Sequence, residues 1–167
     1  MRSNTIAGTA IALAILVMPL KATAHEYTIG TIKIDHPWAR VTPPAAPVAG
    51  GYITITNSGT EPDRLVSGSS SISQKFEIHE SKVVDGVASM RPVVGGVEIA
   101  PGATVALKSG GAHIMFIKPA KRFVEGEKFP ATLIFEKAGP VTVDFAIQGM
   151  GASAPPENHG GHGSMPQ

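Results

Sequence analysis

The chain has 167 residues, with fourteen Lys and Arg against thirteen Asp and Glu, and 43% of it is hydrophobic. A charge this close to neutral excludes the basic face that nucleic acid requires, while about 120 ordered residues suffice for one domain with its own core. There is no cysteine, which excludes disulfides and every thiolate metal centre.

The first residues read as a secretory signal. Arg2 gives a positive n-region, Thr5 to Leu20 is apolar, and Ala22-Thr23-Ala24 is an A-x-A cleavage site. Cleavage after Ala24 is expected, so that residues 1–24 form the signal peptide and His25 becomes the mature N-terminus. Without Arg2 and Lys21, twelve basic residues face thirteen acidic ones, a formal charge of about −1. No second hydrophobic segment follows, so no membrane span is expected after cleavage. The expected destination is the periplasm.

Beyond the signal, helical periodicity gives way to short apolar or alternating runs separated by Gly, Pro, Asn and Asp. These are Tyr27 to Ile34, Val48 to Thr56, Arg64 to Ser67, Lys75 to Ser81, Thr104 to Lys108, His113 to Lys118, Thr132 to Glu136 and Val141 to Gln148. Gly51 to Thr56 alternates cleanly, as half-buried strands do. Seven or eight such strands predict an all-β domain, an antiparallel sandwich or barrel, over residues 25–148. His36, before Pro37 and Trp38, is expected in a tight structural corner. Gly95-Gly96 and Gly110-Gly111 mark bends or bulges.

Asp85-Gly86 is the strongest hairpin signal in the chain. With these two as the central turn residues, Val84 pairs with Val87 and Ser81 with Met90. His79 shares a face with Ser81, so Met90 falls diagonally across from it at roughly 7–8 Å between Cα atoms. A slip of one residue would send Met90 to the other face. His113 and Met115, two apart in an apolar run, also face one way if that run is a strand.

Two imidazoles and two thioethers, His79, Met90, His113 and Met115, therefore define a candidate metal site. Thioether sulfur is a soft neutral donor, and with imidazole it favours Cu(I) over zinc, magnesium or calcium. Lacking a cysteine thiolate, such a site suits a carrier of copper better than a blue-copper electron-transfer centre. Each residue alone has a plainer explanation, since strand methionines usually fill cores. His25, with its α-amine free after cleavage, would offer a minor further chelate.

From Gly149 the composition turns to Gly, Pro and Ser, which predicts a mobile tail over residues 149–167. His159, His162 and Met165 recur there every third residue. They are either incidental to a solvated tail or a flexible arm for Cu(II), with Met165 adding a donor for Cu(I). Ordering the chain would make that site weaker than a preformed pocket.

The stretch from Lys75 to Lys118 resembles the PCu(A)C family of periplasmic copper chaperones. The family pattern is a histidine, ten residues, a methionine, some twenty-one or twenty-two residues, then His-x-Met. Here ten residues separate His79 from Met90, and twenty-two separate Met90 from His113 and Met115. HPWAR at His36 to Arg40, RPV after Met90 and GGVEIAPG add to the likeness, which spans about Tyr27 to Gln148. The resemblance implies a cupredoxin-like or immunoglobulin-like sandwich holding one Cu(I) through His79, Met90, His113 and Met115. It further implies delivery to the binuclear copper centre of cytochrome c oxidase, together with a Sco-type thiol protein. Ser81 and Ser89 stand where many relatives carry extra methionines, which weakens an auxiliary relay and leaves the main pocket intact.

Two rivals share these residues. One is a copper-sequestering or resistance protein with no recipient. The other is a metal-free sandwich used in adhesion or assembly. An enzyme is not expected, because no nucleophile–base pair, phosphate loop or open metal site with a carboxylate base is present in the sequence.

Overall fold

The computed structural model describes residues 26–152. The expected signal peptide, His25 and the tail residues His159, His162 and Met165 lie outside the described residues. The described residues are all-β, with eleven strands: β1 Glu26–Ile29, β2 Ile32–Arg40, β3 Val48–Asn57, β4 Asp63–Ser69, β5 Ser73–Val84 and β6 Val87–Pro92, then β7 Val97–Ile99, β8 Thr104–Leu107, β9 Ala112–Pro119, β10 Lys128–Phe135 and β11 Gly139–Gln148. The run from Tyr27 to Ile34 is two strands, because Gly30 turns the chain between β1 and β2 with φ of 57°.

The strands follow one path, β6-β5-β9-β3-β2-β11-β10-β4-β7, with β1 beside β2 and β8 beside β3. Every pairing is antiparallel except β11 with β2, which run parallel. The path folds over to form a sandwich. Phe116 of β9 meets Phe129 of β10 and Phe145 of β11 edge-on, with ring centres 5.1 and 5.4 Å apart. Phe76 and Phe123 complete the cluster around Phe116. Edge-to-face geometry sets the positive ring edge of one Phe against the negative face of the next, adding to the burial of apolar area.

The hairpin forms in the register expected from Asp85-Gly86. Both residues have positive φ, 52° and 78°, as a turn matched to strand twist requires, and Val84 pairs with Val87 and Ser81 with Met90. Gly96 is held by close approach: a Cβ there would collide with the Leu65 carbonyl oxygen of β4. His36 has φ of 54° at an irregularity that shifts the β2–β3 register between Asp35 and Trp38. Before this shift Ile32 and Ile34 point to the Phe116 core; after it, Ala39 does, and Trp38 turns to the other face, where it is buried under Tyr52 and Arg40.

One end of the sandwich is tied by two buried polar side chains. Asn57 is fully buried and uses both ends of its amide. Its Nδ2 donates to the Glu61 and Ile99 carbonyls at 2.7 and 3.1 Å, and its Oδ1 accepts from Gly59 N and the Thr31 hydroxyl at 2.9 and 3.2 Å. The Asp63 carboxylate accepts three backbone N–H groups, from Arg64 at 2.7 Å and from Lys137 and Ala138 at 2.9 Å each. Burial pushes this carboxyl up, but the three N–H donors and the Lys137 charge outweigh it, and its pKa is lowered.

Candidate metal centre

The site is built on the outer face of β5, β6 and β9, opposite the Phe116 core. In β5 and β9 the even-numbered Ile78, Ile114 and Phe116 are buried in the core. The odd-numbered Glu77, His79, Ser81, His113 and Met115 therefore face the other way. His79 pairs with His113 and Glu77 with Met115 across β5 and β9. Across the hairpin His79 pairs with Pro92 and Ser81 with Met90. The register thus places His79, Met90, His113 and Met115 on one face, with Met90 diagonal to His79.

The two imidazoles are near neighbours, with ring centres 6.3 Å apart. Rings sharing one ion through bonds of about 2 Å have centres roughly 5–6 Å apart, so a small side-chain adjustment brings both within reach of it. Their outer nitrogens are fixed by separate partners. His113 Nδ1 donates to the Gly111 carbonyl at 3.0 Å, which leaves the Nε2 lone pair free. That carbonyl also accepts Ser81 N at 3.1 Å, tying the turn before β9 to β5. His79 Nε2 donates to the Glu77 carboxylate at 2.8 Å, an acceptor-only group when ionised.

His79 Nδ1 is buried and has no hydrogen-bond partner. An unsatisfied buried ring nitrogen costs on the order of 1–3 kcal/mol unless something ligates it. The donor set therefore fits a soft ion: one lone pair on each imidazole, backed by outer hydrogen bonds of the kind that orient metal-binding histidines, with two thioethers on the same face. Among the described residues no three His, Cys, Asp or Glu side chains form a metal cluster.

Exposure differs across the set. His113 is buried and the His79 side chain 13% exposed, whereas Met90, on the terminal strand β6, is 52% exposed. The hairpin tip beyond β9 also exposes Val83, Val84 and Val87. On the opposite flank, Gly50 lies across from Met115. A Cβ on Gly50 would meet the Tyr52 hydroxyl at 2.7 Å, so the absent side chain is what lets the Tyr52 ring fold back here. Tyr52 packs on Trp38 at 4.4 Å, and the Arg40 guanidinium covers both rings at 5.7 and 5.8 Å. Trp38 and Arg40 of HPWAR thus join Tyr52 of β3 in an aromatic and cationic wall on this flank.

Glu77 and the Gly111 carbonyl were not anticipated from sequence. Glu77 had a signal, because a residue two before His79 on a strand shares its face. A backbone carbonyl has none.

Comparison with known proteins shows the family. The family model described as "Putative lipoprotein LpqE-like" matches residues 32–147. A copper-bound PCuAC domain from PmoF2 superposes with TM-score 0.65 at 31% identity, covering 75% of this chain and 98% of that domain. The chain belongs to the PCu(A)C family. A curated relative from Leifsonia xyli subsp. xyli, "Putative lipoprotein Lxx21020", is 27% identical over 147 residues, 86% of this chain and 87% of that protein. Cu(I)-bound DR1885 from Deinococcus radiodurans, 21% identical with TM-score 0.57 over 78% of this chain and 85% of its own, shares the fold. Among the described residues, no helix is long and apolar enough to cross a membrane.

Proposed function

We propose that this PCu(A)C-family chain is an exported copper chaperone that holds one Cu(I) through His79, Met90, His113 and Met115. The observation that carries this reading is the pair of free, oriented imidazole nitrogens, His79 Nδ1 and His113 Nε2, on the face that also bears both methionines. The copper-bound domain from PmoF2 supports copper as the cargo. The signal read in residues 1–24 supports the periplasm as the compartment.

Transfer proceeds by ligand exchange. The two imidazoles are held by Glu77 and Gly111 and form the fixed half of the site. Met90, on the terminal strand and half exposed, is the donor that an incoming ligand displaces first. A recipient's thiolates bind Cu(I) more strongly than neutral thioethers do, so the direction of transfer follows from ligand charge and softness. The recipient read from the family resemblance is the copper-centre subunit of cytochrome c oxidase, acting with a Sco-type thiol protein. His159, His162 and Met165 of the tail offer a separate, weaker site for Cu(II). Carriage rather than catalysis is the role, because every proposed donor is spent on holding the ion.

Anaerobic loading with one Cu(I), followed by incubation with an apo oxidase copper-centre fragment, tests the reading. Movement of copper to the fragment is expected. Retention of copper by the chain, with normal oxidase assembly in a deletion strain, would point instead to sequestration.

A further inference from the structure

The two histidines of the site are oriented by unlike partners. His113 leans on a backbone carbonyl, which no substitution removes. His79 leans on the carboxylate of Glu77, two residues earlier on the same face of β5 and directly opposite Met115. The acceptor-only carboxylate demands a proton on Nε2. In the neutral ring the lone pair is then on Nδ1, the buried nitrogen that has no partner in the protein. The Glu77 side chain is 38% exposed against 13% for His79, so its carboxylate reaches the ring from the solvent edge.

We propose that Glu77 is the positioning residue of the site: its hydrogen bond to Nε2 selects the His79 tautomer and makes Nδ1 the copper-binding nitrogen. This rests on the Cu(I) reading above. Without Glu77 the ring is free to turn about its Cβ–Cγ bond and to place its proton on either nitrogen. Binding would then have to meet the cost of selecting one state. Loss of such an outer partner typically lowers metal affinity by about 10–100-fold. The carboxylate is also engaged on the ring nitrogen that faces away from the orphaned one. It is thereby kept off the ion, which preserves a neutral, soft donor set.

The test begins on the copper-free chain, with long-range proton–nitrogen correlation spectra of the His79 ring. Wild type should show a protonated Nε2 and a bare Nδ1. Glu77→Ala should show a mixed or reversed tautomer and a 10–100-fold weaker Cu(I) affinity by competition with a chromophoric chelator. Glu77→Gln, whose amide oxygen still accepts the Nε2 proton, should retain the tautomer and most of the affinity. A protonated Nδ1 in wild type would overturn the proposal. So would a Glu77→Ala variant that binds Cu(I) as tightly as wild type while His79→Ala does not. Full affinity in His79→Ala itself would remove the Cu(I) reading on which the proposal rests.

Discussion

The two ends of β3 handle buried polarity in opposite ways. At Asn57 and Asp63, where β3 ends and β4 begins, the buried polar groups are paired: the Asn57 amide makes four bonds and the Asp63 carboxylate accepts three. Beyond the other half of β3, across β9 on β5 and β6, the protein leaves a buried imidazole nitrogen unmatched and a methionine half exposed. A satisfied network rigidifies a fold, while an unsatisfied group needs a reason. The difference separates the part of the molecule that holds the sandwich together from the part proposed to take the ion.

Substitutions break that comparison in graded ways. The largest effect is expected at the open end: His113→Ala should cost more than the hundredfold that loss of an outer partner reaches, read as Cu(I) affinity by anaerobic competition. At the closed end, Asp63→Ala orphans three backbone N–H groups and should destabilise the fold by about 3 kcal/mol, read from the urea midpoint. Cu(I) affinity of its folded fraction should not move. Equal losses at both ends in both assays would erase the distinction.

The pH dependence of stability sharpens it further. The Asp63 pKa is lowered in the folded chain, so its stabilisation is complete above the ordinary carboxylate value of about 4 and is lost as pH falls through the folded value. Asp63→Asn should therefore lose less urea resistance than wild type between about pH 5 and pH 2.5. The smallest structural effect is expected for Met90→Leu. At 52% exposure, the change should alter stability by less than about 0.5 kcal/mol. It should still remove one sulfur donor, weaken Cu(I) binding and leave both histidine tautomers as they are.

Much of this site was legible in the sequence for a simple reason. A strand period of two puts His113 and Met115 on one face, and Asp85-Gly86 fixes the register that brings Met90 diagonally across from His79. Both are local rules. The pairing of His79 with His113 joins residues thirty-four positions apart, and no local rule specifies it. The family spacing carried that step instead. The parallel contact of β2 with β11 was equally hidden, since nothing in the alternation of Val141 to Gln148 says which neighbour it meets. The wall of Trp38, Tyr52 and Arg40 depends on the register shift at His36, where the sequence showed only a corner before a proline.

X-ray absorption at the copper edge, on the chain loaded anaerobically with one Cu(I), addresses the central claim most directly. The account predicts a mixed shell of two sulfur and two nitrogen neighbours, reduced to one nitrogen in His79→Ala and to one sulfur in Met90→Leu. A shell without sulfur, unchanged by either substitution, would contradict it.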